Sequence, residues 1–212
     1  MFYVFEGLDG CGKSTLIQNY KLHLESLGKN VYVTREPGGT PLGEELRSTL
    51  LTVKKNSDFK ISPRAELLLY EASRAQHVDQ IISPKIQNGI TVLCDRFTAS
   101  SVAFQAGGRT LKLQDVNWLN QFAIQSFKPE KQIFIDLNYS ECQKRKAGMN
   151  QALDRLESEA ADFHNKVYQS YTEQVKKSPK DWLVLDGHLS PDNLLLSLID
   201  GLNKSLTTKL GQ

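Results

Sequence analysis

The chain has 212 residues, of which 40% are hydrophobic and 24% charged, and its formal net charge at pH 7 is +2. That is enough apolar material for one sizeable core in a single domain spanning residues 1–212, and too little positive charge to suggest nucleic acid or an anionic membrane as a partner. No apolar stretch approaches the roughly 18 residues of a membrane span, and Glu6 comes too early for a secretory leader, so the expected location is cytoplasmic.

Taken in order, Phe2 to Phe5 is a β-prone run followed at once by Gly7-Leu8-Asp9-Gly10-Cys11-Gly12-Lys13-Ser14-Thr15, which satisfies G-x-x-x-x-G-K-[ST]. The apolar spacing of Leu16, Ile17, Tyr20, Leu24 and Leu27 predicts a helix after it, so the motif falls on a strand-to-helix turn. There the glycines fold the backbone into a nest of N–H groups, the helix presents its positive end, Lys13 adds a point charge for β and γ phosphates, and Ser14 would hold Mg²⁺. Gly28 predicts the helix end, and Asn30 to Thr34 a second strand in a βαβ rhythm. Arg35-Glu36-Pro37-Gly38-Gly39-Thr40 then forms a polar loop at the end of a parallel strand, where open α/β sheets bind ligands.

Leu42 to Leu51 reads as a short helix, Lys54 to Ser62 as a polar connector, and Pro63 to about Gln87 as a long helix whose apolar side is interrupted by Glu71 and Arg74. By itself Arg74 would be expected on the surface. Ile90 to Cys94 is a continuous apolar strand closed by Asp95-Arg96, a pattern that suits either a second Mg²⁺-organising position or a simple helix cap. Leu111 to Phe127 predicts a helix and Lys131 to Asp136 a fourth strand. The basic segment Lys144-Arg145-Lys146, followed by small residues and Leu153-Asp154-Arg155, suits a lid over phosphates at about 142–156, or else a solvated turn. Leu156 to Lys177 is expected to be helical with Phe163, Val167, Tyr168 and Tyr171 near its buried face, Asp181 to Gly187 a fifth strand, and Pro191 to Leu206 a closing helix. Cys11, Cys94 and Cys142 lack metal or redox spacing and read as small buried or loop residues.

The ordered set EGLDGCGKST (6–15), TREPGGT (34–40), SRAQH (73–77), DRFTASSVAFQAGGR (95–109) and LDR (153–155) resembles the bacterial-type thymidylate kinases over essentially the whole chain. The resemblance implies an α/β fold of the P-loop nucleoside-monophosphate-kinase type, with a five-stranded parallel sheet surrounded by helices and a short lid. It implies transfer of a phosphoryl group from ATP to dTMP, with Mg²⁺, in a homodimer; a related P-loop kinase with another acceptor is the alternative. Gly7, Gly10, Cys11, Gly12, Lys13, Ser14 and Thr15 would hold ATP, and Ser14 and Asp95 the metal. Asp9, Arg35, Glu36, Pro37, Tyr70, Arg74, Arg96, Ser100, Ser101, Phe104 and Gln105 would form the dTMP site. Within it Arg35 grips the phosphate, Tyr70 stacks on thymine, Arg74 hydrogen-bonds a base carbonyl, and the ring of Phe104 crowds out a ribose 2′-OH. Phe104 stands where a tyrosine is usual, and Ala106 replaces a common glycine. Because the phosphate loop contains no arginine, the resemblance assigns the catalytic arginine to the lid, with Arg145 and Arg155 as candidates beside Lys13, Arg96 and Asp9.

Overall fold

The computed structural model describes residues 1–52, 60–147 and 154–210, with side chains through 204. Lys54 and Lys55 of the polar connector, and Gly148 to Leu153 of the expected lid, lie outside the described residues. Five strands form one parallel sheet: β1 (Phe2–Glu6), β2 (Val31–Arg35), β3 (Thr91–Asp95), β4 (Lys131–Asp136) and β5 (Trp182–Asp186), in the order β2-β3-β1-β4-β5. The expected five-stranded parallel sheet is therefore present, each strand shifted by at most a residue or two from its predicted bounds.

The central strand shows why. All five residues of β1 are buried, as a parallel strand covered on both faces requires. Its side chains alternate with period two: Phe2 and Val4 join a cluster with Val78, Ile82, Val92 and Phe97, whereas Tyr3 and Phe5 join the larger cluster built on Leu16, Ile17, Ile133, Phe163 and Tyr171.

Helix α1 (Lys13–Ser26) follows β1 directly, and α2 (Pro41–Leu51) and α3 (Pro63–His77) each begin with proline behind a capping hydroxyl, Thr40 and Ser62. The long helix expected to Gln87 instead passes through a π turn at Val78–Ile82 before α4 (Ser83–Gln87). Pro84 supplies the reason: it has no N–H for the Gln80 carbonyl and its ring crowds that oxygen, so the chain widens by one residue per turn. A four-residue α5 (Thr98–Ser101) runs into a second π stretch at Val102–Gly108, and α6 (Leu113–Ile124) and α7 (Tyr139–Lys146) follow. Helix α8 (Ala161–Lys177) begins five residues later than the apolar pattern suggested. The chain before it is held in turns, with Asp154 Oδ1 accepting from Glu157 N–H (2.8 Å) and Glu157 Oε2 accepting from Asp154 N–H (2.9 Å). Helix α9 (Pro191–Leu210) closes the chain.

The strand order reverses at β1, which lies between β3 and β4, while the chain connects β1 first to β2 on one side. In such sheets the crevice at the carboxyl ends of the strands is where ligands bind. Register brings Arg35 beside Asp95 and Phe5 beside Asp95 at that edge.

Candidate active site

At the end of β1 the chain turns through Gly7, Gly10 and Gly12 with φ of 137°, 91° and 107°, a region that glycine enters without strain. A Cβ on Gly7 would stand 2.9 Å from the Ile135 carbonyl oxygen, and one on Gly10 2.9 Å from that of Cys142. Gly12 caps α1 without any side chain, so the first N–H groups of that helix remain directed at an incoming anion. Lys13 is 5% exposed. Its Nζ donates to the carbonyls of Gly7 and Leu8 at 3.1 Å each and stands 3.7 Å from Asp9 Oδ1. Ser14 and Thr15 are exposed on the same turn. Together with Asp95, Arg35, Arg47 and Arg96 they line a cavity of about 810 Å³.

Arg96 follows β3 with φ of 70°, a left-handed conformation that costs a non-glycine residue about 1–2 kcal/mol. The surroundings fix it. Its Nη2 donates to Asp9 Oδ1 (2.7 Å), Nη1 donates to Ser100 Oγ (3.3 Å) and Tyr171 Oη (3.2 Å), and the guanidinium lies 5.0 Å over the Phe104 ring. Ser100 and Tyr171 in turn donate to Glu6 Oε2 at 2.6 and 2.8 Å, and Phe97 N–H donates to Glu6 Oε1 at 2.9 Å. Burial pushes the Glu6 carboxyl above its ordinary value, with Arg96 and these hydrogen bonds opposing it. Burial also acts to raise Asp9, but the charges of Arg96 and Lys13 outweigh it and hold that carboxyl well below the usual range.

Beside the large cavity, and sharing Asp9, Arg96, Glu36 and Arg47 with it, is a narrower slot of about 80 Å³ lined by Pro37, Tyr70, Arg74, Ser100, Ser101, Phe104 and Gln105. Arg74 is not on the surface, as its residue type alone suggested; it is 2% exposed. Its Nε donates to Glu36 Oε2 (2.7 Å), Nη1 to Glu71 Oε1 (2.5 Å), Ser101 Oγ and Asn120 Oδ1 (2.8 Å each), and Nη2 to the Phe97 carbonyl (3.0 Å). Two buried carboxylates, together with Ser101, Asn120 and the Phe97 carbonyl, thus hold one guanidinium at the slot wall. The other oxygen of Glu36 meets His77 Nδ1 (2.9 Å), whose Nε2 meets Thr34 Oγ1 (2.7 Å). Glu36 lines both cavities while its carboxylate is engaged from behind.

Most of the residues singled out in the sequence converge on these two connected spaces. Arg145 and Arg155 do not line either one. Arg145 donates to the carbonyls of Cys11 (3.2 Å) and Gly187 (2.6 Å), in a separate cavity behind the phosphate loop lined also by His188, Leu189 and Leu194. Arg155 donates to the Leu50 carbonyl (2.6 Å) and to Glu66 Oε2 (2.5 Å). Sequence reasoning passed over Glu6, Arg47, Glu66, Asp154 and Tyr171. Glu6 carried a signal, being the one charge in an otherwise apolar central strand. Arg47 lies on an amphipathic helix where an arginine is unremarked; here it donates to the Pro37 carbonyl at 2.9 Å and lines both spaces.

A family model described as thymidylate kinase matches residues 5–196 of the chain. The thymidylate kinase of Bdellovibrio bacteriovorus is 45% identical over 207 residues, covering 96% of this chain and 95% of that one. That of a Nostoc species is 42% identical over 193 residues (91% and 90%), and that of Finegoldia magna 40% identical over 204 residues (96% and 98%). Near-complete coverage in both directions, at an identity where fold and motif positions are shared, agrees with a phosphate loop opening onto an arginine-walled slot: the chain belongs to the thymidylate kinase family.

Proposed function

We propose that the chain is a nucleoside monophosphate kinase that transfers the γ-phosphoryl group of ATP to dTMP, giving dTDP and ADP. The observation that carries the choice of acceptor is the hydrogen-bond inventory of Arg74. Of five N–H groups, those on Nε and Nη1 are committed to protein acceptors, and Nη2 has one acceptor, the Phe97 carbonyl. One N–H on Nη2 is left for a carbonyl oxygen in the slot that Arg74 lines, which suits O4 of thymine. Tyr70 supplies an aromatic face in the same slot, and the Phe104 ring, packed between Arg96 and Phe163, would crowd out a ribose 2′-OH.

The acceptor phosphate has a second pKa near 6 and is largely dianionic at neutral pH, so its oxygen is a nucleophile without a general base. The remaining problem is to bring two polyanions together and to stabilise spread charge in a loose transition state. Arg96, fixed by Asp9, Ser100 and Tyr171, and Arg35, 54% exposed and paired with Glu44 at 3.1 Å, would meet the acceptor phosphate. Lys13, now on loop carbonyls, would exchange them for donor phosphate oxygens. Arg145 and Arg155 remain the candidates for the lid arginine.

Asp95 Oδ1 is buried with no hydrogen-bond partner among the described residues, and it shares the large cavity with the exposed Ser14 hydroxyl. No group of three or more His, Cys, Asp or Glu side chains that would cage a metal occurs among the described residues. A sparse oxygen set fits Mg²⁺, which takes most of its ligands from water and substrate phosphates; Ser14 and Asp95 would hold it, and bound there it neutralises β- and γ-phosphate charge. A homodimer is supported by α3 and α6, which pack together yet leave Leu68 (54%), Trp118 (65%) and Phe122 (72%) in water. The test of the acceptor is ADP release measured with dTMP, dUMP, dCMP, dGMP and ribo-TMP. A clear preference for any acceptor but dTMP would overturn the assignment.

A further inference from the structure

Glu66 lies on α3, away from the phosphate loop, and is fully buried. Its Oε1 accepts from Gln105 Nε2 (3.0 Å) and Arg109 Nε (3.2 Å); its Oε2 accepts from Arg109 Nη2 (3.2 Å) and Arg155 Nη2 (2.5 Å). Burial acts to raise this carboxyl, but hydrogen bonds from Arg109 and Gln105 and the charges beside it hold it below the ordinary value. It is a carboxylate, and a carboxylate only accepts hydrogen bonds. A side-chain amide facing it must therefore present its NH₂ group, and the two ends of the amide cannot be exchanged without setting Gln105 oxygen against carboxylate oxygen.

Gln105 is 2% exposed and lines the slot together with Arg74. With Nε2 on Glu66, its Oε1 is turned the other way. No hydrogen bond engages that oxygen among the described residues, and the side chain that carries it lines the slot. The slot wall then carries a donor at Arg74 Nη2 and an acceptor at Gln105 Oε1. A pyrimidine with a carbonyl at position 4 and an N–H at position 3 complements that pair; one whose N3 is an acceptor meets Oε1 with a lone pair.

We propose that Glu66 is a specificity-determining positioning residue, which locks the Gln105 amide so that its carbonyl faces the bound base and selects pyrimidines bearing an N–H at position 3. The proposal rests on the reading of the slot as the dTMP site. Because Glu66 also anchors Arg109 and Arg155, loss of activity in a variant would not separate selection from support. The discriminating quantity is a ratio. Two acceptors are compared, dUMP and the deoxynucleotide of 4-unsubstituted pyrimidin-2-one, whose N3 accepts; the difference at position 4 is common to both enzymes and cancels when variants are compared. In Glu66→Gln the amide at 66 accepts or donates, Gln105 is free to turn, and the dUMP preference in kcat/KM should shrink about 10- to 100-fold. A merely supporting Glu66 would lower both kcat/KM values alike, and an unchanged ratio overturns the proposal. Should Glu66→Gln not fold, the unsubstituted protein decides: the Gln105 side-chain NH₂, followed by ¹⁵N NMR, should have one proton protected from solvent exchange both before and after dTMP binds, because it stays on Glu66. Rapid exchange of both protons in either state, or loss of the protection on binding, would overturn it. A protein that phosphorylates neither dTMP nor dUMP would instead refute the acceptor assignment itself.

Discussion

Arg74→Lys is the most informative single change, because it keeps the charge and removes the geometry. The guanidinium serves five acceptors, two of them the buried carboxylates Glu36 and Glu71, which are 4% and 5% exposed. An ammonium has three N–H groups and no fork, so at least two charge-assisted bonds are lost, each worth about 1.5–3 kcal/mol. With partial repacking, a loss of about 3 kcal/mol is expected, which for a chain of this size lowers Tm by roughly 6–12 °C. The spare Nη2 donor disappears as well, so KM for dTMP should rise about 10- to 100-fold. Arg74→Met should be worse, because breaking a buried ion pair costs about 3–5 kcal/mol and here two carboxylates are left behind; acceptor binding is therefore better probed with lysine than by deletion. Urea unfolding followed by circular dichroism, with ADP release at varied dTMP, measures both effects. Stability within 1 kcal/mol of the unsubstituted protein, or a KM within twofold, would refute this account of the slot.

Lys13→Ala should lower kcat at least about 100-fold with the fold intact, since the positive charge acts on phosphate; near-normal turnover argues against that role. Arg145→Ala, which removes the brace between the Cys11 and Gly187 carbonyls, should raise KM for ATP, whereas the lid arginine that acts in the transition state should show its loss in kcat. Equal mild effects from Arg145→Ala and Arg155→Ala would make both structural. Asp9 has a folded pKa below its unfolded value of about 3.9, so its stabilising pair with Arg96 is fully present above that value and is lost as pH falls through the folded one. Asp9→Asn should therefore flatten the loss of stability as pH falls below about 4, by no more than about 1 kcal/mol because the side chain is 38% exposed; identical pH profiles would contradict it. Trp118→Glu should shift the proposed homodimer toward monomer in analytical ultracentrifugation, and an unchanged mass would overturn the assignment of α6 to its interface.

Much of the protein was decided locally and could be read from the chain. The phosphate loop is one such case: its glycines, Lys13 and the helix behind it are contiguous, and backbone sterics alone force their arrangement. The strands are another, because burial on both faces demands continuous apolar runs, and Glu6 and Asp95 mark where two of them reach the crevice. What the residues alone did not reveal is pairing across long separations. Arg74 looked like a surface residue until Glu36, Glu71, Ser101, Asn120 and the Phe97 carbonyl, brought from four other places in the chain and one turn of its own helix, surrounded it. Only the resemblance to a known family had pointed away from the surface, where the structure finds it buried. Tyr171 reaches Glu6 across 165 residues, and Glu66 gathers Gln105, Arg109 and Arg155 from two further segments. Local sequence determines which backbone conformations are possible and which faces are apolar; whether a buried charge is supported, and hence which atom it leaves for a ligand, depends on partners that only the packed sheet and helices bring within hydrogen-bond distance.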